Sequence, residues 1–167
     1  HAAASDLSLP QSVPDEVRGY FDAARTLWVC GWFYYPYYTW AGFHAAVAAE
    51  TALRFRFRGE RHAPRTLGPM IRQALARKWL RPEGFARIAE AQASNDDEWS
   101  DDLVGSHQGV NWDEVMERKL EAFRDARNWH AHPEQFSYNT PQNGFSLLEF
   151  SRDLIAQLYS PRSERRA

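Results

Sequence analysis

Arg127-Asn128-Trp129-His130-Ala131-His132-Pro133 is the stretch of this sequence whose residue types could do chemistry. On an α-helix Asn128 and His132 are four apart and share a face, while Arg127 projects about 140° from His132. The three therefore converge only at an edge or an interface. Histidine titrates near neutrality, and arginine grips phosphate bidentately. Cutting RNA through its own 2′-hydroxyl needs a base for that hydroxyl, a cation for the crowded phosphate and an acid for the departing 5′-oxygen. Arg127 and His132 supply two of the three roles. An isologous two-fold contact would bring a second His132 opposite the first and supply the third, so the chemistry needs a homodimer and neither a metal nor another cofactor. A helix C-terminus favours the protonated ring of His132, and a nearby Arg127 opposes it.

These residues need elements to hold them. Pro14-Asp15-Glu16 reads as a helix start, and Val17, Tyr20, Phe21, Ala24, Leu27 and Trp28 follow at helical spacing, predicting a first helix that ends near Pro36. A second helix is expected over 37–58, with Phe43, Val47, Leu53 and Phe57 as its apolar stripe, and it stops at Gly59. A third is expected over 64–80 and a short one over 82–93. The acidic run 94–102 reads as a solvated loop. A strong helix is expected over 113–132, with Val115, Leu120, Phe123 and Trp129 toward the core, and closed by Pro133. After a loop rich in Pro, Asn and Gly, a last amphipathic helix is expected over 146–158. With no strand pattern and no internal repeat, the chain reads as an all-α, up-and-down bundle of about five to six helices.

The 167 residues, 44% of them hydrophobic, suit one domain, placed at 6–160 with a basic tail at 161–167. The opening residues 1–5 carry no initiator Met and read as a remnant of an expression tag. A net charge of -2 excludes the strongly basic field of a sequence-blind nucleic-acid binder, so any such contact must be local. Arg54, Arg56, Arg58, Arg61, His62 and Arg65 form the one dense basic stretch, readable as a solvated helix end or as an RNA-guiding patch. The single cysteine, Cys30, permits no internal disulfide, and no Cys or Cys/His spacing would hold zinc; the chain reads as cytoplasmic. Between Arg25 and Glu50 there is no formal charge, but the tryptophans and tyrosines there carry polar handles and Pro36 sits midway. That argues for the junction of two helices, core or dimer surface, rather than a membrane span.

Arg-Asn, three residues, then His, at the end of the penultimate long helix and followed by Pro and one more helix, resembles the signature of the HEPN superfamily. The looser pattern, Arg and then His after four to six residues, is also met by Arg56 with His62 and Arg124 with His130; only Arg127 has the polar neighbour and the helix-terminal His. Ala49-Glu50-Thr51-Ala52-Leu53-Arg54 resembles the acidic and basic pair of these bundles, and Thr66-Leu67-Gly68 a common opening of their third helix. The resemblance implies an HEPN-like bundle that dimerises and a ribonuclease of toxin or antiviral-defence type. It makes Arg127, Asn128 and His132 the catalytic residues and Glu50 their support, with RNA as substrate and a cognate antitoxin or regulatory protein as partner. In some of these toxins a Tyr two residues after the motif His is modified; here that position is Glu134, and Tyr138 is the nearest tyrosine.

Other readings stand beside these. His132 could cap the last carbonyls of its helix, and Asn128 could bond to backbone. Arg127 could form an internal ion pair with Glu50, a role that merges with catalysis because such a pair would orient the guanidinium. His130, about 200° round the helix from His132, faces away from it. For the whole chain, the alternative is a non-catalytic HEPN module that binds RNA, nucleotide or a partner protein.

Overall fold

The computed structural model describes residues 6–93, 110–130 and 140–160. Among them are six α-helices and no strand: α1 (Asp15–Cys30), α2 (Tyr37–Arg56), α3 (Leu67–Ala76), α4 (Ala86–Ala93, entered through a 3-10 turn at Pro82–Gly84), α5 (Trp112–His130) and α6 (Pro141–Tyr159). The expected all-α bundle is what the chain forms. The acidic run 94–102, His132, Glu134, Tyr138 and the basic tail all lie outside the described residues.

The second helix is the centre. Tyr38, Ala41, Gly42, Ala45, Ala46, Ala48, Ala49, Ala52 and Leu53 are buried along it, a set too wide for a single stripe. Small side chains let neighbouring backbones approach closely, so α1 and α6 close on different sides of it. This revises the expected stripe in part: Leu53 and Phe57 are buried, but Phe43 and Val47 are only half-buried, and the alanines around them carry the contact. Val17, Phe21 and Ala24 are the buried face of α1, and Leu148, Leu154, Ile155 and Leu158 that of α6.

Two contacts fix the register of α6 on α2. The hydroxyl of Tyr159 donates to the carbonyl of Ala52 at 3.1 Å, and Gly144 faces the carbonyl of Tyr38. Both helices advance about the same distance between these points, so they run parallel. Ser12, just before α1, donates to the carbonyl of Tyr159, which places the start of α1 beside the end of α6 and makes α1 antiparallel to both.

Three boundaries differ from expectation. The first helix ends at Cys30 instead of near Pro36, with Gly31 as its cap, and the ring of Tyr38 lies 2.5 Å from where a Cβ on Gly31 would sit. The chain leaves through successive turns that expose Trp32 (74%) and Phe33 (85%). The third helix is shorter than expected, from Leu67 to Ala76. The last helix begins at Pro141 and not near 146: Thr140 caps it by accepting from the Asn143 N–H at 3.1 Å, and Pro141 takes the first-turn position where its missing N–H costs nothing. Trp28 secures that start by donating its indole N–H to the carbonyl of Pro141 at 2.9 Å. No helix among the described residues is long and apolar enough to cross a membrane.

A Cβ at position 144 would lie 2.8 Å from the backbone oxygen of Tyr38, which cannot rotate away. Gly144→Ala should therefore destabilise the fold by about 2 kcal/mol through overpacking. Gly19→Ala, on the exposed side of α1 with nothing within 4 Å, should be neutral or stabilise by up to about 1 kcal/mol. Denaturant melts of the two variants check this; equal midpoints would remove the close approach of α2 and α6.

Candidate functional site

Met116, Leu120 and Phe123 form the buried stripe of α5, and the next position at the same spacing is Arg127. A guanidinium thus stands where a core residue is due, and it meets a carboxylate. Glu50, buried on α2 at 6% exposure, receives Arg127 Nη2 at 2.8 Å on Oε2 and Arg54 Nη2 at 2.6 Å on Oε1. The internal pair weighed for Arg127 is present, and Arg54 completes it from one turn further along α2.

The two arginines are not equivalent. Arg54 is 57% exposed and Arg127 28%, and the Nε of Arg127 is buried without a hydrogen bond among the described residues. Glu50 therefore does more to fix Arg127 than Arg54. A carboxylate carried into an apolar helix contact is costly unless it is paired, so Glu50 and Arg127 each satisfy a need of the other. The geometry holds a guanidinium in one orientation near the end of α5 while leaving part of it open to an anion.

The other sequence-derived site residues are arranged as follows. Asn128 is exposed on the outer side of α5, one position round from Arg127. His132 lies outside the described residues. Arg54, Arg56, Arg58, Arg61 and Arg65 are all exposed, but only Arg54 joins the Glu50 cluster. Arg56 lies over the Trp79 ring at 4.8 Å and Arg58 over Phe55 at 5.6 Å. Arg77, outside the expected patch, also lies over Trp79, at 4.9 Å, and pairs with both oxygens of Glu60 at 2.5 and 2.8 Å. That bond is the main reason the Glu60 carboxyl is held below its ordinary range and the Arg77 guanidinium above its own.

A second place with chemical potential was not anticipated. Between α4, α5 and α6 lies a cavity of about 390 Å³ whose wall includes Phe85, Ile88, Trp112, Phe123, Leu147 and Phe150. Its carboxylates are already engaged: Glu149 accepts from Arg87 Nε at 2.8 Å, and Asp153 accepts the Ala86 N–H at 2.8 Å, capping α4 from another helix. The space suits an apolar group and offers no unengaged carboxylate. Burial is the largest influence on Asp153 and pushes its carboxyl above the ordinary aspartate value, against the Ala86 N–H and Arg152, which lower it. The sequence carries a faint signal for this, an acid directly before the buried Leu154 and Ile155 of α6. Among the described residues no group of three His, Cys, Asp or Glu is placed to hold a metal ion.

Compared with known proteins, the chain matches no family model, and no curated protein or solved structure shows significant similarity to it.

Removing Glu50 leaves Arg127 in the core stripe without its counter-charge. Glu50→Ala should cost about 2 kcal/mol, whereas Arg54→Ala, at an exposed partner, should cost under about 1 kcal/mol. A Glu50/Arg127 double-mutant cycle should return a coupling energy larger than the Glu50/Arg54 cycle. Additive Glu50 and Arg127 effects would mean that the pair does not position the guanidinium.

Asp153 has a higher proton affinity folded than unfolded, so the folded state binds more protons in the interval between its two values. Stability from this group is accordingly greatest below the unfolded value, falls as pH rises through the interval, and is level above the folded value. Asp153→Asn keeps an oxygen for the Ala86 N–H and should flatten that part of the stability–pH curve. An unchanged curve would exclude the buried acid as its source.

Proposed function

We propose that the chain is a metal-independent endoribonuclease, HEPN-like and of toxin or antiviral-defence type, which cuts RNA by attack of the 2′-hydroxyl at a site shared by two copies. The observation that supports this most is the Glu50–Arg127 pair: a buried carboxylate fixes a partly open guanidinium three residues before the end of α5. In this reading Arg127 stabilises the crowded phosphate, and His132 from the two copies acts as base and acid. Asn128, on the exposed side of α5, contacts the RNA or the second copy. The exposed basic residues Arg54, Arg56, Arg58, Arg61 and Arg65 guide the strand through its phosphates. The turn bearing Trp32 and Phe33 offers apolar surface for the homodimer contact. A cognate antitoxin or regulatory protein is compatible with this arrangement.

A second reading is favoured by the same pair. Glu50 already occupies one nitrogen of Arg127, which suits a structural arginine in a non-catalytic module that binds RNA, nucleotide or a partner protein.

Alanine variants separate the two. Arg127→Ala and His132→Ala should each lose roughly 10²-fold or more in cleavage while retaining helical content. Products of 2′-hydroxyl attack carry a 2′,3′-cyclic phosphate and a 5′-hydroxyl, and cleavage should persist in EDTA. In mixed dimers, one His132→Ala chain should leave far less than half of the parent activity; half would mean two independent sites. Full activity in the double variant would overturn the assignment.

A further inference from the structure

The positive charge of this chain is concentrated more sharply than its net value suggests. Of its 20 Arg and Lys, nine fall within residues 54–81, together with one of its 22 Asp and Glu. That span carries +8 in a chain of net charge -2, leaving -10 on the remainder. Folding gathers part of it around one ring. The guanidiniums of Arg56 and Arg77 lie over Trp79 at 4.8 and 4.9 Å, Arg77 is also 5.2 Å from the Phe57 ring, and Phe57 and Trp79 are themselves in contact at 4.9 Å. Arg77 gives its Nη1 and Nη2 donors to Glu60 at 2.5 and 2.8 Å, which leaves Arg56 as the guanidinium over this ring that is not paired with Glu60.

The backbone beside this ring is strained in a way that retains a cation. The third helix closes with the Lys78 N–H donating to Leu75 at 2.8 Å and the Trp79 N–H to Ala74 at 2.9 Å, the paired bonds of a Schellman end. That end requires a left-handed residue, ordinarily glycine, at the position Lys78 occupies with φ of 54°. A lysine held where glycine would relieve strain points to use of its side chain.

We infer that the surface centred on Trp79, with Arg56, Lys78 and Arg81 as its cations, binds single-stranded nucleic acid; its identification with RNA rests on the function proposed above. Phosphates meet the donors of Arg56, Lys78 and Arg81, and bases meet the half-buried Trp79 ring, a combination suited to a flexible strand rather than a rigid duplex. The net charge of -10 on the remainder of the chain disfavours the strand elsewhere, and Glu83, Asp113 and Glu117, which line a groove with Lys78 and Arg81, bound the surface on that side.

The test uses the full chain and a fluorescently labelled 2′-O-methyl oligouridine, which lacks the 2′-hydroxyl nucleophile, so binding is read independently of cutting. The parent should bind it in low salt and lose affinity steeply as salt rises. Lys78→Gly should raise the melting temperature yet weaken binding about three- to tenfold and reduce the salt slope by roughly one. Lys78→Glu with Arg81→Glu should weaken it further. Lys78→Gly that is stabilised with unchanged affinity would overturn the inference, as would tighter binding of an equal-length duplex or of vesicles rich in anionic lipid. A chain that binds the modified strand but leaves ordinary RNA uncut would overturn the cleavage reading alone.

Discussion

The rest of this bundle depends on how closely other helices approach α2. Its alanines at 41, 45, 46, 48, 49 and 52 are all buried, so the contact is made with little side-chain volume between backbones. The consequences appear on both neighbours. On α6, Gly144 passes the Tyr38 carbonyl at a distance no side chain could share; at the end of α1, Gly31 makes room for the Tyr38 ring. Tyr159, bonded to Ala52, and Thr140, capping α6, then fix where the parallel partner starts and ends.

A helix enclosed in this way has few positions that tolerate charge, and Glu50 occupies one. Its burial is offset by guanidiniums of unequal kind, one from its own helix and one from α5. Because Arg127 falls at the core-facing spacing of Met116, Leu120 and Phe123, its direction is set by packing as well as by the ion pair. A residue constrained twice has little freedom to reorient, and positioned cations depend on that property to act on a phosphate. The same economy recurs at Asp153, a buried acid on α6 that satisfies the first N–H of α4 and so joins two elements by one hydrogen bond.

Arginines elsewhere are held by aromatic faces. Trp79 lies beneath both Arg56 and Arg77, so the end of α2 and the end of α3 are joined through this ring, with Glu60 paired to Arg77. Such contacts order long side chains that would otherwise lose conformational freedom on binding an anion. Charge separation along the sequence thereby becomes a defined surface.

Much was legible from residue order alone. Helical periodicity and the absence of strand patterns determined an all-helical chain, and Pro14 with two acids marked the start of α1. The i, i+4 placement of Glu50 and Arg54 and the core-stripe position of Arg127 were also present in the order of residues, because helix geometry makes such neighbours local. Tertiary structure alone decided the remainder. The segment Thr140 to Gly144 has the composition of a loop; its Thr140 cap and first-turn Pro141 are local signals of a helix start, and Tyr38 and Trp28, more than 100 residues earlier, pack against it and hold it in the bundle. Likewise the alanines of α2 outrank Phe43 and Val47, since periodicity reports which residues are apolar but not which must be small for two backbones to meet. The stacking of Arg77 with Arg56 on Trp79 belongs to the same class: it depends on where the end of α3 returns, which is set by long-range packing and has no local signature.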